Sequence, residues 1–300
     1  MGKPTNKVVA LAILSTFVIL VAGRDVAYEL FLNKTPPGVS FAFWICTTAA
    51  VLSGLWVVLY GESRSLVRRL TERRVLWTCI ALGIMCAVIY VTTFAVIEKV
   101  GAGLFNMIDW GLAPVLTAII GICYDKDTVS RPRISMAIGL YVIGTIGLCS
   151  IEKQLWGPLV LIALFSPIFT AISFPVQRWL MAEKGGGLTR AQVTCVRFSP
   201  AAVTILCYQY FVGGGLPEMT SPLKLFPVAV VLGFVPLILL CYALVKTSLS
   251  RFAVWQFGIP ALAFFGTLYA HPASQAFVPI ASGIMVLVGI LVMEWPKKDV

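Results

Sequence analysis

Apolar residues along this chain fall into ten long runs separated by short polar breaks, at roughly 8–28, 38–60, 75–96, 102–123, 133–150, 155–177, 190–212, 225–245, 252–270 and 276–294. Crossing the hydrocarbon core of a bilayer as an α-helix takes about 20 mostly apolar residues. The breaks have ordinary turn chemistry: Asn33-Lys34-Thr35-Pro36-Pro37-Gly38, Gly185-Gly186-Gly187, Gly213-Gly214-Gly215 and His271-Pro272-Ala273-Ser274. None of the runs alternates polar and apolar positions as the wall of a membrane barrel does. The pattern predicts an all-α integral membrane protein with ten transmembrane helices.

Composition agrees with the pattern. Hydrophobic residues make up 59% of the chain, charged residues 12%, and mean hydropathy is +0.93. A soluble globule has about 45–50% apolar and about 25% charged residues, and a disordered chain has fewer apolar residues still. The net charge of +10 would suit nucleic acid, but its placement argues for a bilayer. With the N-terminus inside, seventeen Lys and Arg residues fall on that face, among them the run Arg64, Arg68, Arg69, Arg73 and Arg74. Arg24, Lys34, Lys99, Lys153 and Lys224 fall on the other face, and Arg197 lies within a span. This is the positive-inside asymmetry. It predicts the cytoplasmic membrane, with both termini cytoplasmic and no nucleic-acid partner.

Met1 to Gly23 has the basic-then-apolar look of a signal peptide, but no A-x-A-like site follows, so an uncleaved first span is expected. The opening MGKPTN misses the myristoylation pattern. The eight cysteines show no C-x-x-C or metal spacing and read as small residues for helix packing.

The break near Glu152-Lys153 divides the chain into 1–151 and 152–300, each with five spans. The fourth span (101–121) and the ninth (250–266) both hold a mid-helix proline preceded by a glycine: Gly111 and Pro114, Gly258 and Pro260. Similar helix ends precede them, FAVIEKV at 94–100 and YALVKTS at 242–248. Glycine-spaced closing spans follow, with Gly139 and Gly144 in one and Gly283 and Gly289 in the other. A second copy of a five-span unit enters from the opposite face and lies inverted. Inverted repeats are a recurrent plan of secondary transporters, whose substrate site lies near the midplane between the halves.

Five plus five spans in 300 residues, with prolines in the fourth and ninth, resemble the EamA-type drug/metabolite transporter superfamily. The stretch FVPLILLCYALVKTSLSRFAVWQFGIPALAFF (234–265) is most similar to the RarD-like branch, through Pro236 in the eighth span and Gln256 shortly before Pro260. Many members have a Gly-Glu pair closing the fourth and ninth spans, where this chain has Tyr124-Asp125 and Ala270-His271. Many have an arginine in the second span, where Trp44 stands here. The resemblance implies export of amino acids or related metabolites.

An ionisable side chain at the bilayer centre costs about 2.5–3.5 kcal/mol on insertion scales, so such residues usually face a cavity or a partner. Asp109 lies well inside the fourth span with Asn106 on the same face. It reads as a carboxylate that takes up protons or orients a cationic group, or as a structural hydrogen-bonding residue. Arg197, inside the seventh span, could hold an anionic group or snorkel to the inner headgroups. No direct Asp109–Arg197 contact is expected. Arg24 and Asp25 read as interfacial anchors, because successive helical residues point about 100° apart. Gln256, the approximate counterpart of Trp110 in the repeat, suits hydrogen bonding to a solute. Trp44, Tyr90, Trp110 and Tyr242 could wall a cavity or simply pack. Pro114 and Pro260 are candidate hinges.

There is no nucleotide-binding G-x-x-x-x-G-K-[ST], no H-E-x-x-H, no G-x-S-x-G, and a single His271 in an outer turn. The sequence therefore predicts neither an enzyme nor a cofactor or metal. It predicts a secondary transporter, monomeric or homodimeric, whose partners are a small organic solute and the lipid bilayer, with either proton coupling or proton-free diffusion or exchange as the driving mode. A sensor or scaffold with a transporter-like body is the alternative.

Overall fold

The computed structural model describes residues 5–124, 158–213, 215–219, 222–256 and 258–270, with the isolated positions 135, 139, 284 and 288. The spans expected at 133–150 and 276–294 lie outside this set almost entirely. Every described element is helical. In chain order they are α1 (Thr5–Val26), α2 (Gly38–Leu59), α3 (Ser63–Leu70), α4 (Arg73–Val100), α5 (Ala102–Tyr124), α6 (Pro158–Met181), α7 (Arg190–Phe211), α8 (Pro222–Pro227), α9 (Val235–Lys246), α10 (Leu249–Gln256) and α11 (Gly258–Ala270). Wider π-helical turns extend α1 over Ala27–Phe31 and join α8 to α9 over Val228–Phe234. Among the described residues, four helical stretches are long and apolar enough to cross a membrane: Val9–Phe31, Gly38–Leu59, Arg73–Lys99 and Pro222–Lys246. Ile108–Cys123 is a shorter apolar stretch.

Helix ends are set by groups that satisfy backbone atoms otherwise left without partners. The Gly38 N–H at the start of α2 donates to Glu98 Oε2 at 2.9 Å, and the Ala102 N–H at the start of α5 donates to Glu29 Oε2 at 2.7 Å. Both carboxylates come from other helices, and both sit where a helix dipole favours negative charge. Lys34 ties them together, its ammonium donating to the Glu98 carbonyl at 3.2 Å and lying 3.9 Å from Glu29 Oε1. At the opposite end, Thr189 and Gln192 form a reciprocal capping box on α7. The Gln192 amide also donates to the Glu62 carbonyl at 3.0 Å and to Ser65 Oγ at 2.8 Å, pinning α3 to α7.

The helices interleave by pairs. α2 packs along α7; α4 packs on α6 and α7; α5 packs on α6, α10 and α11; α1 packs on α9 and α11; and the Val228–Phe234 turn lies against α2 and α1. Small residues permit the tightest of these approaches. A Cβ on Gly83 of α4 would stand 2.6 Å from Pro200 Cβ of α7, and one on Gly121 of α5 would stand 2.7 Å from Ser250 Oγ of α10. Packed side chains fill three apolar clusters. One centres on Phe41, Ile45, Phe94 and Phe198, a second on Phe17, Trp110, Phe174 and Phe252, and a third on Leu82, Leu180 and Val193. Large apolar side chains also face outward, including Leu55, Val58, Trp77, Ile84, Ile168, Val203 and Phe211. A hydrocarbon surround accounts for such a surface, whereas water does not.

Candidate functional site

Polar and charged side chains form a seam through the middle of this apolar bundle. Its base is on α5, where Asn106, Asp109 and Trp110 share a face and are all buried. The face is completed by Thr117, whose hydroxyl donates to the Ala113 carbonyl at 2.7 Å. Asn106 turns its amide nitrogen to the Ala102 carbonyl at 2.8 Å and leaves Oδ1 without a protein partner. Asp109, only 1% exposed, faces the Ser166 hydroxyl on α6 and lies within electrostatic range of Asp25 and Arg24, while its Oδ1 has no protein partner.

Arg24 and Asp25 belong to this seam, at a place where interfacial anchoring was expected. Arg24 is 6% exposed and Asp25 not at all. The guanidinium folds back onto the neighbouring carboxylate, with Nε and Nη2 both 2.6 Å from Asp25 Oδ1. Its remaining edge reaches the Tyr90 hydroxyl at 3.4 Å, and it stacks 5.3 Å from the rings of Tyr90 and Phe94. The 100° separation of the two Cα–Cβ directions is overcome by the length of the arginine stem. Asp25 Oδ2 has no protein hydrogen bond, although the carboxyl group lies beside Asn106.

Arg197 on α7 is 5% exposed and therefore does not snorkel. It donates to Gln177 Oε1 on α6 at 3.0 Å, and Gln177 is itself held by the Ser173 carbonyl at 3.1 Å. Cys86 lies against both Arg197 and Cys46. Tyr90 joins the two basic centres, since it interacts with Arg24 and with Arg197 and packs edge-to-face on Phe198.

The seam on α6 was not anticipated. Ser166, Thr170, Ser173 and Gln177 are all buried and recur every three or four residues, which aligns them on one helix face. Each hydroxyl alone says little in a membrane helix. Their period, within an otherwise apolar run, is the sequence signal that points to a polar stripe. Ser166 Oγ and Thr170 Oγ1 have no protein partner.

Gln256 on α10 is fully buried with both amide atoms unpartnered, and so are Ser250 Oγ and Trp110 Nε1. Trp110 packs in one cluster with Phe252 and Ile259, the neighbours that flank Gln256 by one helical turn. Pro114 lies inside α5 and Pro260 near the start of α11. A proline lacks the N–H that would bond the carbonyl four residues earlier. For Pro114 that carbonyl belongs to Trp110, so the proline frees a backbone acceptor beside an unpartnered side chain.

The remaining sequence candidates lie elsewhere. The Trp44 indole donates to the Glu218 carbonyl at 2.8 Å, and the Glu218 N–H donates to Ser40 Oγ at 3.1 Å. Trp44 thus fastens the 215–219 segment over α2. Tyr242 lies beneath the Arg190 guanidinium at 3.8 Å, next to the Thr194–Cys241 contact of 3.8 Å. The structure brings together Asp109, Asn106 and Tyr90 with Arg24 and Asp25, and joins Arg197 to them through Tyr90. It sets Trp110 and Gln256 on the adjoining α5–α10 interface, and leaves Trp44 and Tyr242 apart. Among the described residues, no group of three or more His, Cys, Asp or Glu side chains is arranged to hold a metal ion.

What the seam can do follows from its composition. Acceptors and donors of both charges converge where water is scarce, so a bound solute's polar groups would meet unpaired partners in a low-dielectric setting. No family model matches the chain, and no curated protein does. A protein of known crystal structure has a similar fold, with a TM-score of 0.72 and 14% identity over 94% of this chain and 95% of the other. At that identity the likeness establishes a shared fold over nearly the full length of both chains.

Proposed function

We propose that this protein is a secondary transporter that moves a small organic solute across the cytoplasmic membrane by alternating access, with export as its direction. The observation that carries this reading is the row of buried polar atoms without protein partners along α5, α6 and α10: Asn106 Oδ1, Asp109 Oδ1, Trp110 Nε1, Ser166 Oγ, Thr170 Oγ1, Ser250 Oγ and the Gln256 amide. A purely structural membrane protein gains nothing from such a row, because each unmet group costs free energy in an apolar surround. A protein that exchanges those partners with a passing solute requires it.

Helix pairing supports the ten-span, two-repeat plan. Exchanging α1 with α6, α2 with α7, α4 with α9 and its preceding π-turn, and α5 with α10–α11 converts one set of contacts into the other. The α4–α6 contact maps onto α9–α1, α4–α7 onto the π-turn with α2, and α5–α6 onto α10–α11 with α1, while α2–α7 and α5–α10 map onto themselves. Such an exchange among the described helices is what two equivalent units related by a two-fold axis would give, and it supports reading 1–151 and 152–300 as five-helix repeats. An axis in the membrane plane makes them inverted. The seam then lies where the units meet, with Pro114 and Pro260 as matching hinges. The resemblance of the fourth, eighth and ninth spans to EamA-type transporters agrees with this plan.

In this mechanism Asp109 and Gln256, with Asn106 and Ser166, contact the solute directly. Arg24 and Asp25 hold the local charge close to neutral, and Arg197 with Gln177 borders the site toward the arginine-rich face. Protons are the proposed driving ion, taken up at Asp109. The reading is tested by transport of candidate metabolites into proteoliposomes. Solute movement that Gln256→Leu and Asp109→Leu abolish without loss of folded protein supports it; no movement of any tested solute by intact protein contradicts it.

A further inference from the structure

At the end of α4 nearest the arginine-rich α3 segment, an open cleft of about 310 Å³ lies between α4 and α6, lined by Arg74, Thr78, Pro175, Val176 and Trp179. From its walls and charge we infer that this cleft binds an anionic phospholipid of the adjacent leaflet.

Three observations combine. First, the Arg74 guanidinium lies 4.9 Å over the Trp179 ring, which fixes its plane and leaves its N–H edge available to a phosphate. Second, among the described residues basic side chains outnumber acidic ones at this end. Arg64, Arg68, Arg69, Arg73 and Arg74 crowd the α3–α4 connection. Glu72 is engaged by Arg69 at 3.2 Å and Glu62 by the Thr189 hydroxyl, while Glu183 is exposed in the turn after α6. Third, the cleft opens onto an apolar track. Phe165, Ile168 and Ile172 of α6 are exposed and, at intervals of three and four residues, share the helix face of Pro175, Val176 and Trp179. On α4, exposed Ala81 continues the face of Arg74 and Thr78.

Both tracks run from the charged end toward the middle of the helices. A headgroup phosphate at Arg74 would lay its acyl chain along Ile172 and Ile168. A soluble phosphate compound would use the charge and leave the apolar track empty; a zwitterionic lipid would use the track and gain less from the arginines. Each Lys or Arg near the bilayer surface favours anionic lipid by about fivefold, so a preference of that size is assigned to Arg74. The inference concerns a lipid site outside the seam and holds whatever the transported solute is.

The experiment is lipid titration of the detergent-purified protein, read by native mass spectrometry, with phosphatidylglycerol and phosphatidylcholine of matched chains. Inorganic phosphate serves as a competitor. The expected result is a preference for phosphatidylglycerol that falls about fivefold in Arg74→Gln, falls also in Trp179→Leu, and resists phosphate. Arg64→Gln, outside the cleft lining, lowers it less than Arg74→Gln does. Brominated phosphatidylglycerol should also quench wild-type tryptophan fluorescence more than that of Trp179→Phe, a readout that does not depend on removing the arginine. Equal binding of the two lipids, displacement by free phosphate, an unchanged preference in Arg74→Gln, or its transfer to Arg64 overturns the assignment.

Discussion

Arg24 pairs with the residue next to it, its guanidinium set 2.6 Å from the Asp25 carboxylate inside the helix bundle. Removing one member of a buried pair strands the other's charge, at a cost of about 3–5 kcal/mol. Asp25→Asn should therefore lower the melting temperature of the purified protein sharply. Replacing both, as Arg24→Met with Asp25→Leu, should recover most of the loss. If the double variant also keeps full transport, the pair is structural only, and the seam begins at Asn106.

Gln177 accepts a hydrogen bond from Arg197 at 3.0 Å, beside the Cys86 thiol that also faces the guanidinium. Gln177→Leu leaves the guanidinium with an unmet donor, and a destabilisation of about 1–3 kcal/mol is expected. Gln177→Glu should melt at least as high as the wild type, since it converts a neutral acceptor into a charged one. A lower melting temperature for Gln177→Glu than for Gln177→Leu would show that another group already balances Arg197.

Asp109 is the proposed proton carrier. In proteoliposomes, Asp109→Asn should abolish any dependence of solute flux on a pH gradient, while leaving exchange of solute across the membrane measurable. Flux that keeps the same gradient dependence in the variant removes Asp109 from coupling.

Helix approach at Gly83 has no room for a side chain, because a Cβ there would meet Pro200 at 2.6 Å and the Arg197 carbonyl at 3.2 Å. Gly83→Leu should separate α4 from α7 and aggregate on size-exclusion chromatography. Gly61→Leu is strained by its φ of 69° but meets nothing within 4 Å. It should remain monodisperse.

Legibility in the sequence followed how far a residue's surroundings depend on its own helix. The helices themselves were readable, because a run of apolar residues needs no tertiary context to exclude strands and water. Asp109, Asn106, Arg197 and Gln256 stood out because polar groups within apolar runs must find partners. Arg24 and Asp25 read as anchors because the outer end of a span is where anchors normally sit; their burial depends on α4 and α5 closing over them. The α6 stripe was hidden because serine and threonine often bond their own helix, as Ser173 does to the Thr170 carbonyl at 2.8 Å. Trp44, in the second span, reads as cavity wall or as packing. Its bond to the Glu218 carbonyl pairs residues 174 positions apart, a separation that local pattern does not encode.

A thermal-stability screen of the purified protein against a metabolite library tests the transporter reading most directly, because a ligand that binds only the folded state raises the melting temperature as its concentration exceeds Kd. At least one small organic solute should stabilise the wild type, and the same solute should fail to stabilise Asp109→Leu or Gln256→Leu variants that are otherwise folded. A library in which no solute stabilises the wild type, or in which the stabilising solute acts equally on both variants, would contradict a solute site in the seam.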